Sequence, residues 1–93
     1  MSFSFRAKVW KWPGDMGWYF VNVPKNIFEA VRAKNGKGLI RVRLSIGRTR
    51  WETSLLPHAL SGTYLLAIKA LVRKNEGIFE GDEVDITFCI IKK

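Results

Sequence analysis

Cysteine and histidine are almost absent from this chain of 93 residues, which has one of each, Cys89 and His58. A lone cysteine excludes an intramolecular disulfide and an all-cysteine metal site, and a lone histidine cannot share a metal with a second one. Cys89 lies in an apolar stretch, where a free cysteine usually packs as a small hydrophobe. We therefore expect stability to come from packing, without a metal or any other cofactor.

Enzyme signatures are also missing, because the chain has no phosphate-binding glycine loop, nucleophile elbow or dinucleotide-binding fingerprint. Glu80, Asp82, Glu83 and Asp85 lie close together but do not follow the spacing of a calcium loop. We interpret them as a turn in which Gly81 takes a positive φ and the Asp82 carboxylate accepts hydrogen bonds from backbone N–H groups. The sequence predicts a protein that is not an enzyme.

Long apolar runs do not occur in this sequence. The longest stretch without a charged residue, 53–68, is shorter than the roughly 20 residues of a membrane-spanning helix and contains Pro57 and Gly62. The first six residues lack the basic segment and apolar run of a secretory signal. We expect a cytoplasmic protein that has no membrane partner.

Positive charge is in excess, with 16 lysines and arginines against 8 acidic residues and a net charge of +8. Such a charge attracts nucleic acid and other anions. The alternative is that it only keeps the protein soluble. Because 47% of the residues are hydrophobic, the chain can bury the core of one globular domain spanning residues 1–93.

Alternation of apolar and polar residues predicts a mainly β protein with about six short strands, which favours a small closed or partly open barrel. Residues 17–23 follow a predicted turn at Pro13, Gly14 and Asp15, and 62–68 is apolar on both faces, as in a central strand covered on both sides. The predicted strands are 3–12, 17–23, 40–46, 49–55, 62–68 and 84–90.

Two short helices complete the predicted fold. Pro24 suits the first turn of a helix that ends at Gly36. A second helix over 69–76 is expected to turn Leu71 and Val72 inward.

One functional hypothesis is a nucleic-acid-binding surface. Basic residues on the polar sides of strands, together with exposed tryptophans, are typical of proteins that bind single strands. We expect Trp18 and Trp51 to be core residues instead. The candidate residues are Arg6, Lys8, Arg41, Arg43, Arg48, Arg50, Trp10 and Trp12.

The other hypothesis, ranked slightly ahead, is a binding site for a small anionic or polar ligand. Lys69 and Arg73 are four residues apart and lie on one face of the predicted helix. The alternative is that the two cations are simply exposed to solvent. Convergence of other polar and aromatic side chains on this pair would instead indicate a ligand site. The residues expected to converge with this pair are Ser54, Trp51, Tyr64 and His58. We expect a monomer or a weak homodimer.

Short motifs along nearly the whole chain are similar to those of one family. They are Trp12-x-Gly14, Gly17-Trp18, Val23-Pro24, Thr53-Ser54-Leu55, Gly62-x-Tyr64-x-Leu66, Lys69-Ala70-x-Val72-Arg73 and Gly81-Asp82-x-Val84. In this order they resemble a small uncharacterised bacterial domain that occurs alone or fused ahead of bacteriocin-protection proteins of the YdeI/OmpD-associated type. The family has no established activity.

The resemblance implies a double-split β-barrel related to the barrels of AbrB and MazE, which also use a Gly-Asp turn like Gly81-Asp82. Those AbrB-like proteins bind DNA as dimers through arginines on a β-surface. Loose counterparts in this chain would be Arg41, Arg43, Arg48 and Arg50.

Overall fold

A computed structural model describes residues 2–14, 16–36 and 39–91 of the chain. Within these residues seven strands form one antiparallel sheet in the order β1-β7-β4-β5-β6-β3-β2, curled into a half-barrel. The elements in chain order are β1 Ser2–Lys8, β2 Trp10–Lys11, β3 Tyr19–Asn22, α1 Lys25–Asn35, β4 Ile40–Ile46, β5 Thr49–His58, β6 Thr63–Ala67, α2 Ala70–Glu76 and β7 Glu83–Ile90.

The first predicted strand is divided at Val9, which raises the number of strands from about six to seven. β1 and β2 lie at opposite edges of the sheet although they adjoin in the chain, so the sheet must curl to bring its edges to Val9. The N–H of Val9 donates to the carbonyl of Asp82, and the N–H of Gly81 donates to the carbonyl of Val9. Val9 is fully buried at this junction.

The turn before β7 holds this junction in place. Gly81 has a φ of +90°, a left-handed conformation that favours glycine. The carboxylate of Asp82 accepts a hydrogen bond of 2.8 Å from the N–H of Phe79. Farther back in the chain, Gly14 has a φ of +116°, while Asp15 of the predicted turn lies outside the described residues.

Both predicted helices are present. α1 follows Pro24 and buries Ile27 and Val31, while α2 ends at Gly77, whose φ is +65°. The inward orientation predicted for Leu71 is wrong, because Leu71 is 67% exposed and Val72 is buried. Side chains of neighbouring residues on a helix point about 100° apart, so in this short helix Val72 faces the core while Leu71 faces solvent.

Strand β6 is covered on both faces, as its apolar sequence predicts, although it lies between β5 and β3 and not at the centre of the sheet. On one face α1 packs against it, with the rings of Phe28 and Tyr64 4.7 Å apart. The buried hydroxyl of Thr63 donates to the carbonyl of Val23 at 2.6 Å. The other face of β6 forms the floor of an aromatic groove. In the described part of the chain, no helix has the length and apolar character needed to cross a membrane.

Candidate functional site

An open groove of about 400 Å³ lies on the outer face of the sheet, where the short strand β2 and its neighbours β3, β6 and β5 meet. We call it the aromatic groove. Alternation along these strands turns apolar side chains to both faces, so the side that would usually be solvated is apolar here. Its lining residues are Trp12, Met16, Trp18, Phe20, Leu56, Pro57, His58 and Leu65.

Two tryptophan rings of the aromatic groove are open to solvent, with Trp12 39% and Trp18 49% exposed. Trp18 lies parallel to Phe20, with ring centroids 6.2 Å apart and planes 8° apart. Trp12 meets Phe20 edge-on at 5.7 Å and His58 edge-on at 5.9 Å. Such pairs are preferred aromatic geometries, and they hold the exposed rings in place.

Trp10 supports this arrangement from beneath. Its indole Nε1 donates to the Oδ1 atom of Asn22 at 2.7 Å, and its ring lies 5.8 Å from that of Trp12. Trp10 is half-buried and Trp12 is exposed. We expected Trp18 in the core, and this expectation is wrong, because Trp18 is 49% exposed and its ring packs against Phe20 on the outer face of the sheet.

Trp51 faces the opposite, concave side of the sheet. It pairs in register with the buried Leu44 on β4 and packs against the core. Its indole Nε1 is buried and has no hydrogen-bond partner among the described residues. Trp51 therefore does not belong to the aromatic groove.

A second depression of about 270 Å³ adjoins the aromatic groove and shares two of its lining residues, Met16 and Trp18. We call it the basic depression because Lys69 and Arg73 line it. The backbone N–H of Arg73 donates to the backbone carbonyl of Lys69 at 3.0 Å, so the two residues lie one helical turn apart on the same face.

Arg73 is held by two contacts. Its guanidinium carbon lies 3.7 Å from the centroid of the Tyr19 ring, a cation–π contact, and its Nε donates to the carbonyl of Ile68 at 3.3 Å. Its two terminal Nη nitrogens make no hydrogen bond to the residues that the structure describes. The end of the guanidinium fork is therefore positioned and available to an anion.

The expected convergence of Ser54, Trp51, Tyr64 and His58 on Lys69 and Arg73 does not occur in the structure. Ser54 faces the outer side of β5 toward β4 and accepts a hydrogen bond from Arg41 Nη1 at 3.2 Å. Lys69 follows the end of β6 that pairs with β3, on the other side of β6. Ser54 lies on β5, so strand β6 separates it from Lys69, and spacing in the sequence alone did not reveal this separation.

Tyr64 and His58 have different surroundings. Tyr64 is buried beneath α1, and burial raises the pKa of its hydroxyl, while the nearby Arg32 acts in the opposite direction. His58 lies in the aromatic groove, and its Nδ1 is 2.7 Å from the hydroxyl of Ser61. Of the four residues expected to converge on Lys69 and Arg73, His58 is the one that lines the aromatic groove.

The strand arginines lie on the outer face of the other half of the sheet, where carboxylates accompany them. Arg6 lies 3.2 Å from Glu83 and 3.7 Å from Asp85. Arg43 and Arg41 both approach Glu52, at 3.0 and 4.0 Å. These pairs reduce the positive charge that the surface presents to a phosphate backbone.

The other basic candidates are arranged around these pairs. Lys8 is opposite Glu83 in the register of β1 and β7. Arg48 lies in the turn between β4 and β5, where its backbone N–H donates to a carboxylate oxygen of Glu76 at 3.3 Å. Arg50 and Arg43 line a shallow depression of about 290 Å³ that also contains the half-buried Cys89. Among the described residues, no cluster of three potential metal-ligating side chains is present.

Met16, Trp18 and Tyr19 line the two spaces, although none of them was among the predicted site residues. The pair Gly17-Trp18 was one of the motifs that carried the family resemblance, and it is the signal that could have revealed this site. An exposed tryptophan next to a glycine at a strand entrance is hard to distinguish from a core tryptophan by composition.

The chain was also compared with known proteins. None of the curated proteins compared with it matches. Residues 5–88 match a family described as a domain of unknown function, DUF1905. Because that match spans most of its 93 residues, the chain belongs to this family.

Proposed function

We propose that this protein is a non-enzymatic binding module that holds a small ligand with a flat apolar group in the aromatic groove. An anionic or polar group of the same ligand reaches Lys69 and Arg73 in the basic depression. The observation that carries the proposal is the exposure of Trp12 and Trp18 in a groove that shares Trp18 with the depression holding this pair of cations.

The physical support comes from the surface that these rings leave in water. Burying apolar area is worth roughly 25 cal/mol per Å², so two half-exposed tryptophans gain considerable free energy when a ligand covers them. The groove volume of about 400 Å³ lies within the usual range for small-molecule sites. Apolar walls with a few polar groups at one end favour a ligand that is apolar at one end and polar at the other.

A nucleic-acid-binding surface on the strand arginines is the second candidate. The net charge of +8 and the juxtaposition of Arg43 and Arg50 favour it, while the carboxylate partners of Arg6, Arg41 and Arg43 weaken it. For this reason we rank it behind the aromatic groove.

We also propose that the half-barrel is of the double-split type related to the AbrB and MazE barrels. Support comes from the meeting of the two sheet edges at Val9 and from the Gly81-Asp82 turn that binds this residue. We further propose a cytoplasmic protein that acts as a monomer or a weak homodimer.

The proposal is tested with the neutral fluorophore N-phenyl-1-naphthylamine, which has flat rings and no charge. Removing one stacking ring costs roughly 1–3 kcal/mol, so Trp18→Ala or Trp12→Ala should weaken binding by about tenfold. Fluorescence titration measures the dissociation constant. Phe79→Ala is the matched control, since Phe79 is 73% exposed but does not line the groove.

Equal affinity of the Trp18→Ala, Trp12→Ala and Phe79→Ala variants would contradict the proposal. An oligonucleotide arm addresses the second candidate. If changing Arg41, Arg43, Arg48 and Arg50 to serine abolishes oligonucleotide binding and the tryptophan variants do not affect it, the strand arginines are the interface.

A further inference from the structure

The aromatic groove and the basic depression share a wall, and this continuity suggests what kind of ligand occupies them. Met16 and Trp18 line both spaces, so a ring resting on Trp18 has the basic depression beside it. A single small molecule can therefore contact both spaces if its ring and its charged group are joined by a short linkage.

The cations of the basic depression are arranged for an oxyanion. The Tyr19 ring and the Ile68 carbonyl fix the base of the Arg73 guanidinium, which leaves the terminal nitrogens for a ligand. Neither Lys69 nor Arg73 forms an ion pair within the described part of the chain. Two cations one helical turn apart repel each other, and an anion bound between them offsets this repulsion.

A phosphate fits this pair better than a carboxylate. Arginine donates two parallel hydrogen bonds to either anion, but the second positive charge of lysine matches a phosphate, which carries nearly two negative charges at neutral pH, whereas a carboxylate carries one. The net charge of +8 also attracts a multiply charged anion more strongly than a singly charged one.

The aromatic groove fits a heterocyclic base. Its two solvent-exposed rings, Trp12 and Trp18, are braced by edge-to-face and parallel contacts with Phe20, as in the stacking surfaces that hold nucleobases. Four of the eight residues that line the groove carry flat aromatic rings, namely Trp12, Trp18, Phe20 and His58.

We infer, on the basis of the proposed function, that the ligand is a nucleotide, with its base in the aromatic groove and its phosphate on Arg73 and Lys69. A free nucleotide and the terminal nucleotide of a single strand present the same chemistry. The experiment therefore includes both.

The test compares adenosine 5′-monophosphate, adenosine and a short single-stranded oligoadenylate by isothermal calorimetry and tryptophan fluorescence. We expect the monophosphate to bind about tenfold more tightly than adenosine, because charge-assisted hydrogen bonds form only with the phosphate. The Arg73→Gln variant should remove this difference. Arg32→Gln is the matched control, since Arg32 lies on α1 near the Phe28 ring.

Arg73 packs on Tyr19, so replacing Arg73 also removes a packing contact of the fold. Lys69→Gln, at an exposed position, is therefore the second variant. It should also reduce the difference in affinity between the monophosphate and adenosine. A monophosphate that binds no better than adenosine would overturn the inference and leave the proposed function standing. The same conclusion follows if the neutral fluorophore binds and neither adenosine compound does. Failure of all of these probes would overturn both.

The oligoadenylate distinguishes the two sources of the nucleotide. Similar affinity for the monophosphate and the oligoadenylate, both weakened by Arg73→Gln, supports the inference for a terminal nucleotide as well as a free one. Oligoadenylate binding that persists in Arg73→Gln, with no binding of the monophosphate, overturns the inference.

Discussion

Replacing Gly81 with valine is expected to lower the free energy of unfolding by about 1–3 kcal/mol, which chemical denaturation measures directly. The φ of +90° at Gly81 disfavours a β-branched side chain, whatever space surrounds it. A Cβ at this position would meet nothing within 4 Å, so the loss arises from backbone strain and not from a clash.

The strain acts at the junction of the two sheet edges, since the N–H of Gly81 binds the carbonyl of Val9. Asparagine tolerates positive φ better than other residues with a side chain, so Gly81→Asn should be milder than Gly81→Val. A valine variant that unfolds at the same denaturant concentration as the parent would show that this turn does not hold the half-barrel.

The Leu66→Ala substitution is expected to lower the free energy of unfolding by about 2–5 kcal/mol, the range for removing a buried leucine. Leu66 is fully buried on β6, where its loss leaves a cavity in the core. The measurement is again the denaturant midpoint and slope.

Leu71→Ala makes the same chemical change at a side chain that is 67% exposed, so its effect should stay within about 0.5 kcal/mol. Similar losses for Leu66→Ala and Leu71→Ala would show that the orientation of α2 described above is wrong.

Much of the fold was predictable because the pattern of the sequence is local. Alternation along β4 and β5 and the pair Gly47-Arg48 predicted their hairpin, and Pro24 and Gly36 marked the ends of α1. The division at Val9 was not predictable in this way. Val9 continues the alternation of β1, and only pairing with distant Gly81 and Asp82 shows that the chain crosses from one sheet edge to the other.

The candidate site was predicted only in part, because alternation says which residues share a face and not what covers that face. The spacing of Lys69 and Arg73 predicted their common face, and the structure places both in one depression. Ser54 was expected to converge with them, although its strand turns it toward Arg41. Trp18 was assigned to the core because a large apolar ring is usually buried, whereas here the outer face of the sheet is itself apolar.

The proposed site is tested most directly by the indole N–H signals of the four tryptophans in a two-dimensional ¹H–¹⁵N spectrum during titration with adenosine 5′-monophosphate. The signals of Trp12 and Trp18 should shift in proportion to occupancy, because both rings line the aromatic groove. The signal of Trp51, which faces the concave side of the sheet, should stay in place. Shifts confined to Trp51, or none at Trp12 and Trp18 while binding saturates, would contradict a ligand site in the aromatic groove.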